Sequence, residues 1–324
     1  MKRLFLKSLA VLAAACAAAP LALAQGHYPD HPVRVVVPYP PGGSVDPIIR
    51  VVAAKLGDVL GQPFVIDNRA GGNTAIGAGM VAKAAPDGYT LLFTAGSTHV
   101  IHTMQAVLPY DSLKDFAPVA TVSRSSYMLA VHPSVPARTL PELVAYAKAH
   151  PGKLNYGSSG VGNANHLAGE LFNQRTGTKI MHVPYKGGAP ALQDLVAGRV
   201  QMMITNMPLL QPQVDAGALR ALAYTSVRPG GPQVPTFAQY GLPEFESIES
   251  INILLAPANT PEPIIARVSA AVQKVLAMPD VMAAIENQMQ SADYQTPQQL
   301  GQRMHADRAR FAEIIEKGHI DLTP

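Results

Sequence analysis

The sequence predicts an α/β protein of two domains, with mainly parallel sheets and helices on both faces. Three observations carry that expectation. Short runs rich in Val, Ile and Leu alternate with segments of helical apolar periodicity along the whole chain. The 324 residues give room for more than one domain, and 48% hydrophobic against 15% charged residues supplies a core and excludes wholesale disorder. The 26 Gly and 29 Pro fall short of low complexity and punctuate the ends of regular elements.

The first 24 residues stand apart. Lys2, Arg3 and Lys7 form a positive head, Leu9 to Ala19 an apolar run broken by Pro20, and Ala22-Leu23-Ala24 a small-x-small cleavage pattern before Gln25. This is a secretory signal, too short for a membrane span. Cleavage after about Ala24 removes three cations and no anion, so 25 Lys and Arg fall to 22 against 22 Asp and Glu. The mature chain is formally neutral, and no basic run with interleaved aromatics marks a nucleic-acid surface. Cys16, the single cysteine, lies in the leader, so a disulfide framework, a Cys-based zinc site and a thiol nucleophile are excluded together. Lipidation of Cys16 is a rival reading, weakened by Ala13 where a large aliphatic residue is usual. No later apolar stretch reaches the ~18 residues of a spanning helix. An exported, soluble, periplasmic product is expected.

In order along the chain, Val33 to Val37 reads as a strand and Ser44 to Leu60 as a helix with Ile48, Val52, Leu56 and Val59 on one face. Phe64 to Asp67 and Tyr89 to Phe93 are strands around a Gly/Ala-rich helix near Thr74 to Ala84, and Pro86-Asp87-Gly88 is a turn. A second series starts with a strand at Tyr127 to Val131 and a helix at Leu140 to Ala149, begun by Thr139 and Pro141. Leu154 to Gly157, Ile180 to Val183, Val200 to Ile204 and Leu219 to Ser226 are strands, with helices near Ala164 to Gln174 and Ala189 to Ala197. The tail holds a strand at Ile251 to Leu255 and helices at Pro261 to Leu276, Val281 to Gln288 and Pro297 to Lys317. The tail is expected to return to the first domain, giving 25–124 plus 227–324 as one unit and 125–226 as the other. The crossings fall near Ser123–Ser126 and Tyr224–Pro229.

Three segments share one design, an apolar strand running through a Gly-rich loop into a helix start. They are Val35 to Asp46, with Pro38-Tyr39-Pro40-Pro41-Gly42-Gly43, then Tyr156 to Asn163, with Gly157-Ser158-Ser159-Gly160, and Val183 to Pro190, with Tyr185-Lys186-Gly187-Gly188. Such loops leave free N–H groups at the positive end of a helix, where an anion binds. Charge-assisted hydrogen bonds contribute about 1.5–3 kcal/mol each. Two or three approach the ~8 kcal/mol of micromolar affinity, before association costs. The competing explanation is tight βα turns with no ligand. Other signals are weaker. Gly160-Val161-Gly162-Asn163-Ala164-Asn165 begins like a dinucleotide fingerprint but ends in Asn, and no P-loop occurs. Ser158 or Ser159 with His166 is the only arrangement that reads as a secreted serine hydrolase, and it misses the spacing of a nucleophile elbow. His99 and His102 have metal-pair spacing without a clear third ligand. Asp46 reads equally as a ligand contact or as a first-turn acid.

At these residues the chain resembles the Bug receptors, the TctC-type solute-binding proteins of tripartite tricarboxylate transporters. The resemblance runs in order through Pro38 to Gly43 with Asp46, Asp67-Asn68-Arg69-Ala70-Gly71-Gly72, Pro86 to Leu92, Tyr156 to Gly160 with His166, and Val183 to Gly188, and covers essentially the whole mature chain. It implies a type II-like, Venus-flytrap periplasmic binding protein, monomeric and not an enzyme, with neither cofactor nor metal. Its ligand would be a small organic acid: a di- or tricarboxylate, an acidic amino acid or an aromatic acid. Its partners would be the membrane components of a tripartite transporter, or a membrane sensor kinase to which ligand is presented. The positions the resemblance carries over are Tyr39, Pro41, Gly42 and Gly43 in the first domain. In the second they are Ser158, Ser159, Gly160 and His166, with Tyr185, Lys186, Gly187, Gly188 and Ala189. Ser97, Thr98, Asn163 and Asn206 complete the expected ligand-binding set. Asn163 stands where relatives often have a small hydroxyl residue, and Thr205-Asn206 where they vary.

Overall fold

The computed structural model describes residues 28–42, 45–102, 104, 108–226, 234–320 and 322. The leader with Cys16, the cleavage point at Ala24 and the candidate Gly43 lie outside the described residues. Strand β1 (Val33–Val37) sits between β2 (Phe64–Asn68) and β3 (Thr90–Ala95), parallel to both, with α1 (Asp46–Leu60) and α2 (Ala75–Ala82) as crossovers. Four of the five residues of β1 are completely buried, as a parallel strand covered on both faces requires. A short helix, α3 (Gly96–His102), follows β3 directly, and β4 (Phe116–Val131) comes next.

The second series is α4 (Leu140–Ala149), β5 (Asn155–Ser158), α5 (Ala164–Thr176), β6 (Met181–Pro184), α6 (Gly188–Val196), β7 (Met202–Asn206), α7 (Met207–Asp215) and β8 (Arg220–Tyr224). The tail supplies β9 (Glu249–Pro257), α8 (Glu262–Leu276), α9 (Pro279–Asn287), the short β10 (Ser291–Ala292) and α10 (Pro297–Gly318). The strands run in the order β2-β1-β3-β9-β4-β7-β5-β6, with β8 and β10 also paired to β4. Parallel pairing holds in the outer strands of both halves. The centre is antiparallel, because β4 and β9 are not joined to their neighbours through a crossover helix.

Strand β4 links the halves. At 16 residues it extends about 50 Å. Phe116 to Ser126 pair with β9, whereas Tyr127 to Val131 pair with β7 and β8. One strand therefore threads two sheets, changing partners after Ser126. Residues 235–237 lie against the end of β8, Tyr224 N–H donating to Pro235 O (3.3 Å) and Phe237 N–H to Tyr224 O (2.8 Å), before β9 begins at Glu249 opposite Ser126.

Helices cover both faces. On one face of the first half, Ile48, Ile49, Val52 and Leu56 of α1 and Val268, Val272 and Val275 of α8 pack on Val33, Val35, Leu91 and Phe93. Each such side chain stabilises the fold by about 1.5–3 kcal/mol on full burial. In the second half, Leu167, Ala168 and Phe172 of α5 pack on one side of the sheet, and Leu195 of α6 with Leu210 of α7 on the other. Three elements go beyond the sequence reading. Helix α3 follows its strand without a loop, the first eleven residues of β4 carry Pro118 and bulges, and α7 contains Pro212.

Candidate ligand-binding site

Strands β7, β5 and β6 lie side by side and parallel, so the helices that follow them, α7, α5 and α6, start at one edge of the sheet. Their caps are Asn206, Asn163 and Gly187; none makes a side-chain cap hydrogen bond, and no first turn carries an acid. Elsewhere side-chain caps are found at α4 and α10, whereas α1, α8 and α9 have no such cap but carry an acid in the first turn, and α2 has neither. Thr139 accepts from Glu142 N–H at α4, and Thr296 and Gln299 form a reciprocal capping box at α10. Three starts that lack both a capping side chain and a first-turn acid thus sit side by side where Gly-rich loops meet. Each keeps N–H groups and the positive end of a helix dipole available to an anion.

The loop between β5 and α5 is rigidly built. Ser158 is fully buried; its Oγ accepts the Gly160 N–H (3.1 Å) and lies 2.6 Å from Nε2 of His182. Ser159 and Asn165 clasp each other, Asn165 Nδ2 donating to Ser159 Oγ (2.8 Å) and Ser159 N–H to Asn165 Oδ1 (3.3 Å). Gly162 N–H donates to Nδ1 of His166 (3.2 Å), which fixes the His166 proton on Nε2. Burial holds the His166 imidazole down at about 4. The third loop is laced to this one through Tyr185 N–H to Ser158 O (3.0 Å) and Gly187 N–H to Ser159 O (3.2 Å). Tyr185 donates its hydroxyl to Asp194 (2.8 Å); burial and then that bond push its phenol up to about 12. A side chain on Gly188 would meet Leu209 and approach Ser159. Lys186 and Ala189 are exposed on this loop.

In the other half, the Tyr39 hydroxyl is 3.2 Å from Thr94 Oγ1 and accepts the Ala95 N–H (3.2 Å), at the entry to α3. Pro41 and Gly42 are exposed. The Gly42 N–H is taken by Asp46 Oδ2 (3.2 Å), and Asp46 is also gripped by Arg50 (2.8 Å) and Asn68 (2.9 Å). Burial alone would raise the Asp46 carboxyl, but these bonds to Arg50, Asn68 and the Gly42 N–H lower it overall. Asp46 is therefore an anchor of the loop. Ser97 is buried and donates to Glu249 O (3.2 Å), whereas Thr98 is half-buried. Asn206 lies opposite Tyr127 in the β4–β7 register, and Tyr127 is close enough to Tyr39 that burial, then Tyr39, raise its phenol. The two sets of loops thus approach each other around Tyr127.

Several residues that position this region carry no signal in the sequence. His182, not His166, is the imidazole beside Ser158. Asn73 joins the halves, its Oδ1 accepting from Asn163 Nδ2 (3.1 Å). His99 and His102 face separate partners, His99 Nε2 bonding Ser112 O (3.1 Å) and His102 bonding Thr74 and Asn73. Among the described residues no group of three metal-ligating side chains converges.

A two-lobed α/β frame with uncapped helix starts gathered at one strand edge defines a solute-binding protein. The sequence profile of the tripartite tricarboxylate transporter family receptor (TctC) matches residues 48–320. Protein BugT of Bordetella pertussis is 36% identical over 294 residues, 90% of each chain. R. palustris Rpa4515, solved with adipate, superposes with a TM-score of 0.83 at 35% identity, over 90% of this chain and 99% of that one. MatC (Rpa3494) from Rhodopseudomonas palustris, with bound malate, gives 0.79 at 31% identity, over 89% and 100%. The chain belongs to the TctC receptor family, whose members are periplasmic solute-binding proteins and not enzymes.

Proposed function

We propose that this receptor captures a small organic carboxylate between its two lobes and delivers it to the membrane components of a tripartite transporter. One observation carries the reading: α5, α6 and α7 start side by side with neither a capping side chain nor a first-turn acid. Three such starts attract one carboxylate without any basic side chain. The adipate and malate held by the two similar structures support the ligand class. In this reading residues 25–124 with 227–324 form one lobe and 125–226 the other, the leader is cleaved after Ala24, and the product works as a periplasmic monomer. The change of partners in β4 after Ser126 supports the first boundary. Ligand contacts come from Pro41 to Gly43 on one side and from Ser159 to Asn163 and Gly187 to Ala189 on the other. A ligand bridging both favours the closed form by its differential affinity for it. Water leaves on closure, which strengthens the anion–dipole contacts.

Isothermal calorimetry tests this on protein unfolded and refolded to strip trapped metabolite. The panel is malate, adipate, citrate, glutamate and benzoate. Saturable binding of at least one, at a micromolar dissociation constant, is expected; no binding by any of them overturns the carboxylate reading.

A further inference from the structure

Gly71, Gly72, Asn73 and Thr74 all have positive φ (127°, 55°, 50° and 75°). For a β-branched residue such as Thr74 that backbone is costly and persists only where neighbours enforce it. The neighbour is His102, buried on α3, whose Nδ1 is 3.1 Å from Thr74 Oγ1 and whose Nε2 is 3.1 Å from Asn73 Nδ2. Because an amide nitrogen only donates, His102 Nε2 is the acceptor and Nδ1–H faces Thr74. Asn73 is thereby fixed with its oxygen pointing away from His102. That oxygen accepts from Asn163 Nδ2 (3.1 Å), and Asn73 Nδ2 also reaches Val161 O (3.5 Å). Asn73 stands between β2 and α2, in the half built on β1; Asn163 and Val161 stand between β5 and α5, in the half built on β5.

We infer that Asn73 is a latch across the cleft, oriented by His102 and closing on the Val161–Asn163 turn. It is a positioning residue: it sets how far the lobes favour the closed form before ligand arrives. The inference rests on the two-lobed closing reading above and goes beyond it, because the expected ligand-binding residues do not include Asn73 or His102. The geometry explains why strain is kept at Asn73 and Thr74, since relaxing the loop would turn the amide away from Asn163.

The test needs no ligand. The only cysteine in the sequence is Cys16, so residues 25–324 offer no competing thiol. Spin labels at Lys83→Cys and Lys179→Cys, both exposed and one in each half, report lobe separation by pulsed dipolar spectroscopy. Asn73→Gly removes the amide while allowing positive φ, and Asn163→Ala removes the far partner. Asn73→Gly removes both hydrogen bonds to the far turn and Asn163→Ala only the shorter one, so either variant should raise the open-to-closed ratio by about two- to tenfold, and the double variant should shift it no further than Asn73→Gly alone. Unchanged distances in both single variants at wild-type melting temperature, or additive effects in the double variant, overturn the latch. If Asn73→Gly fails to fold, Asn163→Ala decides alone. Since no carboxylate is present, failure here leaves the ligand reading intact, and absence of carboxylate binding leaves this test intact.

Discussion

The imidazole rings of His166 and His182 stack with centroids 4.0 Å apart and planes 15° apart. Two cations at that separation would repel by about 4 kcal/mol at an effective dielectric near 20. Both rings are accordingly neutral, His166 held down at about 4 by burial and His182 at about 3 by burial and then by His166. The stack forms the floor of the β5–α5 loop, since His166 holds Gly162 and His182 holds Ser158.

Acid should therefore destabilise the protein well above the carboxylate range. His99, His102, His166 and His182 all have folded values between about 3 and about 4, below the ordinary 6.5. As pH falls through 6.5, the unfolded chain takes up protons that the folded one refuses. Stability is then complete above that pH and is lost progressively toward pH 4. Each histidine steepens the loss toward about 1.4 kcal/mol per pH unit. Urea melts at half-unit intervals from pH 7.5 to 4.5 check this. A His166→Gln variant should show a shallower slope, and equal slopes would refute the assignment.

Asp46 gives a second pH signature of opposite origin. Its carboxyl is lowered by Arg50, Asn68 and the Gly42 N–H, so its contribution is present above about pH 4 and fades below. Asp46→Ala strands the Gly42 N–H and the Asn68 amide, and a loss of about 1–3 kcal/mol is expected at pH 7. The same substitution should free the Pro40–Gly42 segment, read as faster proteolysis or amide exchange there.

The serine–histidine contact at Ser158 predicts no hydrolase chemistry. Its Oγ is inaccessible and already accepts the Gly160 N–H. A fluorophosphonate should fail to label Ser158 or Ser159 under conditions that label a serine esterase control. Ser158→Ala should instead cost about 1–2 kcal/mol of stability, because a buried donor and an imidazole lose their partner. Stoichiometric labelling of either serine would reverse this reading.

The alternation of apolar runs made most elements legible, because burial against a sheet or helix leaves a periodic mark. Val33–Val37 and Leu140–Ala149 fall where periodicity and caps put them. The same rules fail at α7, where Pro212 sits inside a helix, and along Phe116–Ser126, where Pro118 and four serines and threonines interrupt the apolar pattern of a strand that is nonetheless buried. The candidate loops were visible through their glycines. Asn73, His102 and His182 were not, since hydrogen bonds between residues far apart in sequence leave no local spacing.

The β5–α5 loop also predicts which glycine matters for binding rather than for turning. Gly160 has φ +131°, and a Cβ there would lie 3.2 Å from Asn163 Nδ2 and 3.3 Å from Tyr185 O. Gly152, in the turn after α4, has φ +76° with nothing within 4 Å of its Cβ position. Both disfavour L side chains, so alanine at either should lower the melting temperature, more at Gly160, whose φ lies further outside the left-handed region. Only Gly160→Ala also pushes on the residues that aim the α5 N–H groups and on the third loop. Calorimetry with whichever acid binds the parent protein should show a loss of about tenfold or more for Gly160→Ala and none for Gly152→Ala. Equal affinities in the two variants would mean that the β5–α5 loop only reverses the chain, and that the anion is held elsewhere.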